Sequence, residues 1–281
     1  GVLIFTPVYG PFYASIRENG RKVVASPLER DEKGRYTLNL ADAEGKIASR
    51  EAKMVMMCSP HNPCGRAWSE KELADVAALC YKYGVPLACD EIHADFVYPP
   101  AEHHCMLDAP HAREFAVMLC AASKTYNVAG LQQSAIICEN EKMRERICQE
   151  INACGVKSGN VFALAATRAA YTDCDEWLDG LKAYLMENRD FVMQYARENF
   201  PKVVVTPLEA TYLMWLDCRA GGTDASAACC AYQGERRFDL WRGWTRIYPL
   251  EHRVSARTAG SGTGTNENSF GIREENSHAV Q

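Results

Sequence analysis

Three short polar clusters carry the residue types that can do chemistry. Cys58-Ser59-Pro60-His61-Asn62-Pro63-Cys64-Gly65 follows one apolar run. Asp90-Glu91-Ile92-His93 follows a second, and Ser123-Lys124-Thr125-Tyr126-Asn127 follows a third. Amine, carboxylate, amide and imidazole groups are the usual material of covalent and acid–base catalysis. Each also has an ordinary structural use. A lone lysine is normally solvated. An Asp-Glu pair after a strand commonly caps a turn, and Asn-Pro followed by Gly is commonly a turn. His93 could be a buried, hydrogen-bonded histidine, Tyr9 a core aromatic and Ser123 a cap. Trp68 could pack in the core or at the mouth of a site. Only the order and context of the clusters separate these uses.

The elements around them alternate. Residues 2–6 (VLIFT), 53–58 (KMVMMC), 85–89 (VPLAC), 115–123 (FAVMLCAAS) and 134–138 (SAIIC) read as strands. Continuous apolar runs of this kind suit strands covered on both faces. Residues 11–19 read as a helix stopped by Gly20. Ser69 and Glu72 form a capping box, after which Leu73, Val76, Ala77, Cys80 and Tyr83 keep the helical period and Gly84 ends it. Helices are also expected at 158–171 and 175–199, and strands at 203–206 and 211–217. Strand–helix alternation predicts an α/β fold, a mostly parallel sheet with helices on both faces. A smaller, incomplete α+β C-terminal domain should follow. The expected division is a large domain over 1–175, a partial small domain over 176–230 and an aberrant or disordered tail over 231–281. In such sheets ligands bind beyond the carboxyl ends of the strands, where all three clusters fall.

With 47% hydrophobic and 24% charged residues in 281, the chain can bury a sizeable core. A net charge of −5 argues against a nucleic-acid surface. No run of about 18 apolar residues suggests a membrane span. Thirteen scattered cysteines, several inside apolar runs, read as free buried thiols and point to a reducing cytoplasm. His103-His104-Cys105 lacks the paired spacing of a zinc site, so no metal is expected, and 99–111 reads as a polar loop. Cys58 and Cys64 flank the Asn-Pro turn, but nothing in the sequence indicates a lowered thiol pKa. The chain opens at Gly1 directly on a strand, as though inside a fold. SARTAGSGTGTNENS near the other end is too polar for a core. A change of reading frame near residue 230 would account for that loss of pattern, and reading the other two frames of the DNA tests it.

SPHNPCGRAWSEKEL, VPLACDEIHADFVY and ASKTYNVAGLQ together resemble the fold-type I pyridoxal-phosphate enzymes related to aspartate aminotransferase. Within that group the chain is most similar to the MalY/PatB branch, the cystathionine β-lyase-like C–S lyases. The likeness runs from Gly1 to about residue 230. It implies a pyridoxal 5'-phosphate cofactor held as a Schiff base on Lys124, whose freed amine then takes the Cα proton. It implies that Asp90 pairs with the ring nitrogen and keeps it protonated. Asn62 would hydrogen-bond the ring's phenolic oxygen. His93, which stands where aminotransferases commonly carry a tyrosine, would share that task or orient Asp90. Tyr9 would stack on the ring and Ser123 would donate to the phosphate. The resemblance also implies an amino-acid substrate and a homodimer when full length.

Two departures follow from the same resemblance. Family members carry roughly a hundred further residues, the size of a small domain, before the segment that opens here. No convincing copy of the arginine that clamps the substrate carboxylate is found; Arg273 in FGIREE is the nearest look-alike. The function expected is a C–S β-lyase that turns cystathionine or cysteine into thiol, pyruvate and ammonia. The alternatives are an aminotransferase on the same fold, or a truncated non-catalytic cofactor-binding or regulatory protein.

Overall fold

The computed structural model describes residues 1–156, 159–219 and 247–251. The helices and strands, in chain order, are β1 (Val2–Thr6), α1 (Gly10–Glu18), β2 (Val23–Pro27), β3 (Glu29–Arg30), β4 (Tyr36–Thr37), α2 (Leu40–Ala48), β5 (Met54–Cys58), α3 (Glu70–Tyr83), β6 (Leu87–Asp90), α4 (Ala112–Phe115), β7 (Ala116–Cys120), α5 (Ala122–Thr125), β8 (Ala135–Ile137), α6 (Glu141–Ala153), α7 (Val161–Asp173), α8 (Asp175–Asn199), β9 (Val204–Val205), β10 (Leu213–Asp217) and β11 (Ile247–Glu251).

The main sheet has the order β2-β1-β5-β6-β7-β8. Every pair in it is parallel except β7 with β8. This is the mostly parallel α/β sheet expected from the alternating pattern. Side chains alternate across it as a period of two requires. Leu3, Phe5, Val55, Met57, Leu87 and Cys89 point into one core with Ala43 and Ile47 of α2 and Leu73, Val76 and Cys80 of α3. Val2, Ile4 and Cys58 point to the other face, against Phe12 and Ile16 of α1. Ala88 and Val117 continue that face toward Met143 and Ile147 of α6. Both faces are covered, which is why these strands read as unbroken apolar runs.

The connections carry legible signals. Ser69 caps α3 with both halves of the capping box formed, and Gly84 closes the helix in the left-handed conformation. A second cluster lies beyond the sheet. It joins Phe96, Tyr98 and Leu208 to Leu185 of α8 and to Met214 and Leu216 of β10, with Leu181 and Val192 packed alongside. Trp215 of β10 crosses to the first core, and its Nε1 donates to the Tyr36 hydroxyl at 3.1 Å. β11 pairs antiparallel with β10. It falls in the stretch for which no order is expected from composition; the rest of 231–281, Arg273 included, lies outside the described residues.

One local expectation is corrected and one open alternative is settled. The segment 99–111 is not simply a polar loop: Met106–Asp108 makes a 3-10 turn that buries Met106 and Leu107. Trp68 is a core residue rather than a lining of the site mouth. It is 1% exposed, and its Nε1 donates to the Cys58 carbonyl at 2.9 Å.

Candidate active site

The carboxyl ends of β1, β5, β6 and β7 share one edge of the sheet, because these strands are parallel. β1 leads into Tyr9, β5 into His61 and Asn62, β6 into Asp90 and His93, and β7 into Ser123 and Lys124. The chain runs outward from β1 to β2, then returns to build β5, β6 and β7 on the opposite side. A reversal of this kind, here between β1 and β5, is the usual place for a ligand in such a sheet.

The β6 end separates two adjacent carboxyls. Asp90 continues the strand on the α1/α6 side, and its Oδ1 accepts from the Ile92 amide at 3.2 Å. Burial pushes its carboxyl pKa up; the Ile92 amide and the Lys124 charge oppose that rise, and the Glu91 charge adds to it. Glu91, one residue on, turns to the opposite face. Its carboxylate accepts from the Met106 amide at 2.9 Å, and its Oε2 lies 2.9 Å from His103 Nε2. Glu91 therefore fastens the 103–106 segment and leaves Asp90 as the carboxyl of the site. His103 is spent on that contact, while His104 lines a separate cavity of about 400 Å³ with Tyr98, Arg189 and Glu209.

His93 is 2% exposed, and its Nδ1 has no hydrogen-bond partner among the described residues. Its ring meets Tyr212 edge-on at 5.5 Å. Burial, then the Lys124 charge, hold its imidazole pKa down at about 4. The ring is thus neutral near pH 7, with one buried nitrogen still to be satisfied. Lys124 lies half-buried in α5, close enough for its charge to bear on both Asp90 and His93.

The β5 end is built on a buried histidine and a buried arginine. His61 Nε2 lies 2.7 Å from the Pro7 carbonyl, which ties the β5 loop to the β1 loop. Arg66 is fully buried and pairs with Glu72 at 2.6 Å and with Glu209. Its Nε donates to the Tyr36 carbonyl at 2.6 Å, and its guanidinium sits 4.7 Å from the Trp68 ring centroid. Cys58 and Cys64 are inert there, since burial pushes both thiols well up. Asn62 is half-buried, and its backbone N–H donates to the Cys58 sulfur at 3.5 Å.

The sequence-expected residues are thus gathered on one edge, with different degrees of closeness. Asp90, His93 and Lys124 are linked electrostatically. Ser123 precedes Lys124 in α5 and caps nothing. Tyr9 is 40% exposed, which removes the core-aromatic alternative, and meets Phe12 edge-on at 6.2 Å. Arg66, Glu209, Asp95 and Thr125 were not singled out from the sequence. For Arg66 the only signal was its place in the NPCGRAW string, because arginine by type is expected at the surface.

A mostly parallel sheet with a lysine, a carboxyl and a neutral imidazole at adjacent strand ends places the chain among doubly wound α/β proteins. Residues 1–241 match the family Aminotransferase class I and II, and the chain belongs to that family. It is 35% identical over 223 residues to cystathionine beta-lyase PatB of Bacillus subtilis, covering 79% of this chain and 57% of that protein. It is 33% identical to protein MalY of Escherichia coli, covering 87% and 62%. The crystal structure of cystalysin from Treponema denticola, which contains a pyridoxal 5'-phosphate cofactor, superposes with a TM-score of 0.84 at 28% identity, covering 91% of this chain and 66% of that one. The chain thus spans about three-fifths of the length of the two curated relatives. Pyridoxal 5'-phosphate is the cofactor of this family. The groups present fit it: a lysine amine for its aldehyde, a buried carboxyl for its ring nitrogen and an unsatisfied buried imidazole nitrogen for a polar atom of the ring.

Proposed function

We propose that this chain carries the catalytic core of a pyridoxal-phosphate-dependent C–S β-lyase acting on sulfur amino acids such as cystathionine or cysteine. The cofactor part of this reading is supported by the placing of Asp90, His93 and Lys124 at the ends of β6 and β7, with the Lys124 charge bearing on the other two. When bound, the cofactor supplies an electron sink for the pair left at the substrate Cα. Lys124 Nζ would hold the cofactor and would then serve as the base for the Cα proton. Asp90 would hold a proton on the ring nitrogen; burial makes its lone carboxylate costly, so a cationic partner there is favoured. Asn62 and the neutral His93 would donate to the ring's phenolic oxygen, Ser123 would donate to the phosphate, and Tyr9 would pack against the ring. Loss of the Cα proton and of the sulfur at Cβ, followed by hydrolysis, gives thiol, pyruvate and ammonia.

The name of the PatB relative supports the lyase reading, and the family name favours transamination as the second. The chemistry differs in where the proton returns, so products separate the two. Protein incubated with pyridoxal phosphate should gain a visible absorption band that Lys124→Ala abolishes. It should then release pyruvate from cystathionine. Keto-acid exchange without pyruvate would replace the lyase by the aminotransferase. A protein that takes up no pyridoxal phosphate would defeat both. A cytoplasmic place belongs to the same reading, supported by buried free thiols such as Cys58, Cys80 and Cys89; a homodimer is proposed for the full-length protein, whose sedimentation tests it.

A further inference from the structure

We propose that Asp95 is a positioning residue for Lys124 and acts through the hydroxyl of Thr125. The inference rests on the proposed attachment at Lys124 and adds what holds that lysine in place. α5 is only four residues long, with no side-chain cap at Ala121. One turn of helix cannot hold its own geometry, since nucleation is unfavourable until neighbours restrain it. Bonds on either side of it help restrain it here, beside the Val128 amide on the Ser123 carbonyl and the packing of Tyr126 against Tyr171 and Trp177. Upstream, the Glu91 amide donates to the Leu119 carbonyl at 2.8 Å, which continues the β6–β7 ladder to its end. Downstream, Thr125 Oγ1 donates to Asp95 Oδ2 at 2.6 Å across 30 residues of sequence.

That second bond is well placed to matter. Thr125 is fully buried, and its acceptor is a carboxylate, so the bond is of the stronger, charge-assisted kind. Asp95 stands on the same turn as the site's other groups. Ala94 N donates to the Glu91 carbonyl and Phe96 N to the His93 carbonyl, each at 3.0 Å. The carboxylate therefore shares a framework with Asp90 and His93. Its bond to Thr125, the residue after Lys124, fixes the lysine relative to both. The Asp95 charge is also felt at Tyr126, Tyr171 and Cys120, which places it among the groups around α5 rather than out in solvent.

The test follows covalent capture by Lys124 and needs no turnover. Wild type, Thr125→Val, Thr125→Ser and Asp95→Ala are mixed with pyridoxal phosphate and quenched with borohydride at timed intervals. The adduct on the Lys124 peptide is measured by mass spectrometry, with exposed lysines as internal reference. Thr125→Val and Asp95→Ala should slow adduct formation at Lys124 about tenfold and leave the exposed lysines unchanged, as loss of orientation does. Thr125→Ser, which keeps the hydroxyl, should stay within about twofold of wild type by the same argument. Equal rates for wild type and Thr125→Val overturn the positioning role, as does a Thr125→Ser rate as slow as Thr125→Val. Should Asp95→Ala unfold, the contrast between valine and serine decides alone. A wild type that captures no more at Lys124 than at exposed lysines removes both this inference and the cofactor reading; preferential capture unchanged by the variants removes only the inference.

Discussion

Asp90 and Glu91 are neighbours in the chain and opposites in space. A strand sends successive side chains to opposite faces, so one carboxyl reaches the site and the other fastens the 103–106 segment. The DEIH string made both visible but could not apportion them. Lys124, Asp90 and Asn62 were legible because each sits in a specific string at a strand end. Asp95 and Thr125 were not, since no pattern marks a hydrogen bond between residues 30 apart. Arg66 was missed because its burial depends on partners from Tyr36, Glu72 and Glu209 that only the fold assembles. Gly65, beside it, has a physical reason to be glycine. Its φ is +65°, and a Cβ there would lie 2.5 Å from Leu208 Cδ1 and 3.1 Å from the Ala210 carbonyl oxygen. Gly65→Ala should cost about 2–4 kcal/mol, combining left-handed strain with overpacking. The midpoint of urea unfolding measures this, and an unchanged midpoint would show that Leu208 moves aside freely.

Elements with strong local punctuation were read nearly to the residue. α3 begins after Ser69 and stops at Gly84, and the long helix expected at 175–199 is observed as Asp175–Asn199. The short strands β3 and β4 have two residues each and too little pattern to read. β2 has little apolar pattern to read, because the buried Ser26 and then Pro27 interrupt the run that starts at Val23. α2 and α6 were overlooked although both carry Asn caps, at Asn39 and Asn140. The antiparallel direction of β8 could not be read from three apolar residues. The capping box gives this scale its prediction. Ser69→Ala removes the acceptor for the Glu72 amide and should cost about 1 kcal/mol. Ser69→Asp should recover most of it, because aspartate caps equally well and favours the helix N-terminus. Thermal unfolding of the three proteins compares them; an alanine variant as stable as wild type would mean that α3 is held by its buried face alone.

At the scale of the molecule, two buried histidines set an acid limit. Burial, chiefly, holds the imidazoles of His61 and His93 near 4, against an ordinary value of 6.5. Between those values the unfolded chain binds protons that the folded chain refuses. Stability is therefore whole above about pH 6.5 and falls as pH drops toward 4, by up to about 3 kcal/mol per histidine. Urea midpoints at pH 7.5 and 4.5 should differ accordingly; about half the difference would mean that one ring is protonated in the fold, and a flat profile that both are. The strand order also carries a meaning in time. From β1, the strands β5, β6, β7 and β8 lie side by side in the order in which a ribosome delivers them. Each emerging strand can dock on the open edge left by the one before it, so the sheet can grow outward without rearrangement. The groups at its carboxyl edge then arrive in sequence, Tyr9 first, then Asn62, Asp90 and His93, and Lys124 last. The nascent chain would hold a surface shaped for its ligand before it holds the amine that makes the capture permanent.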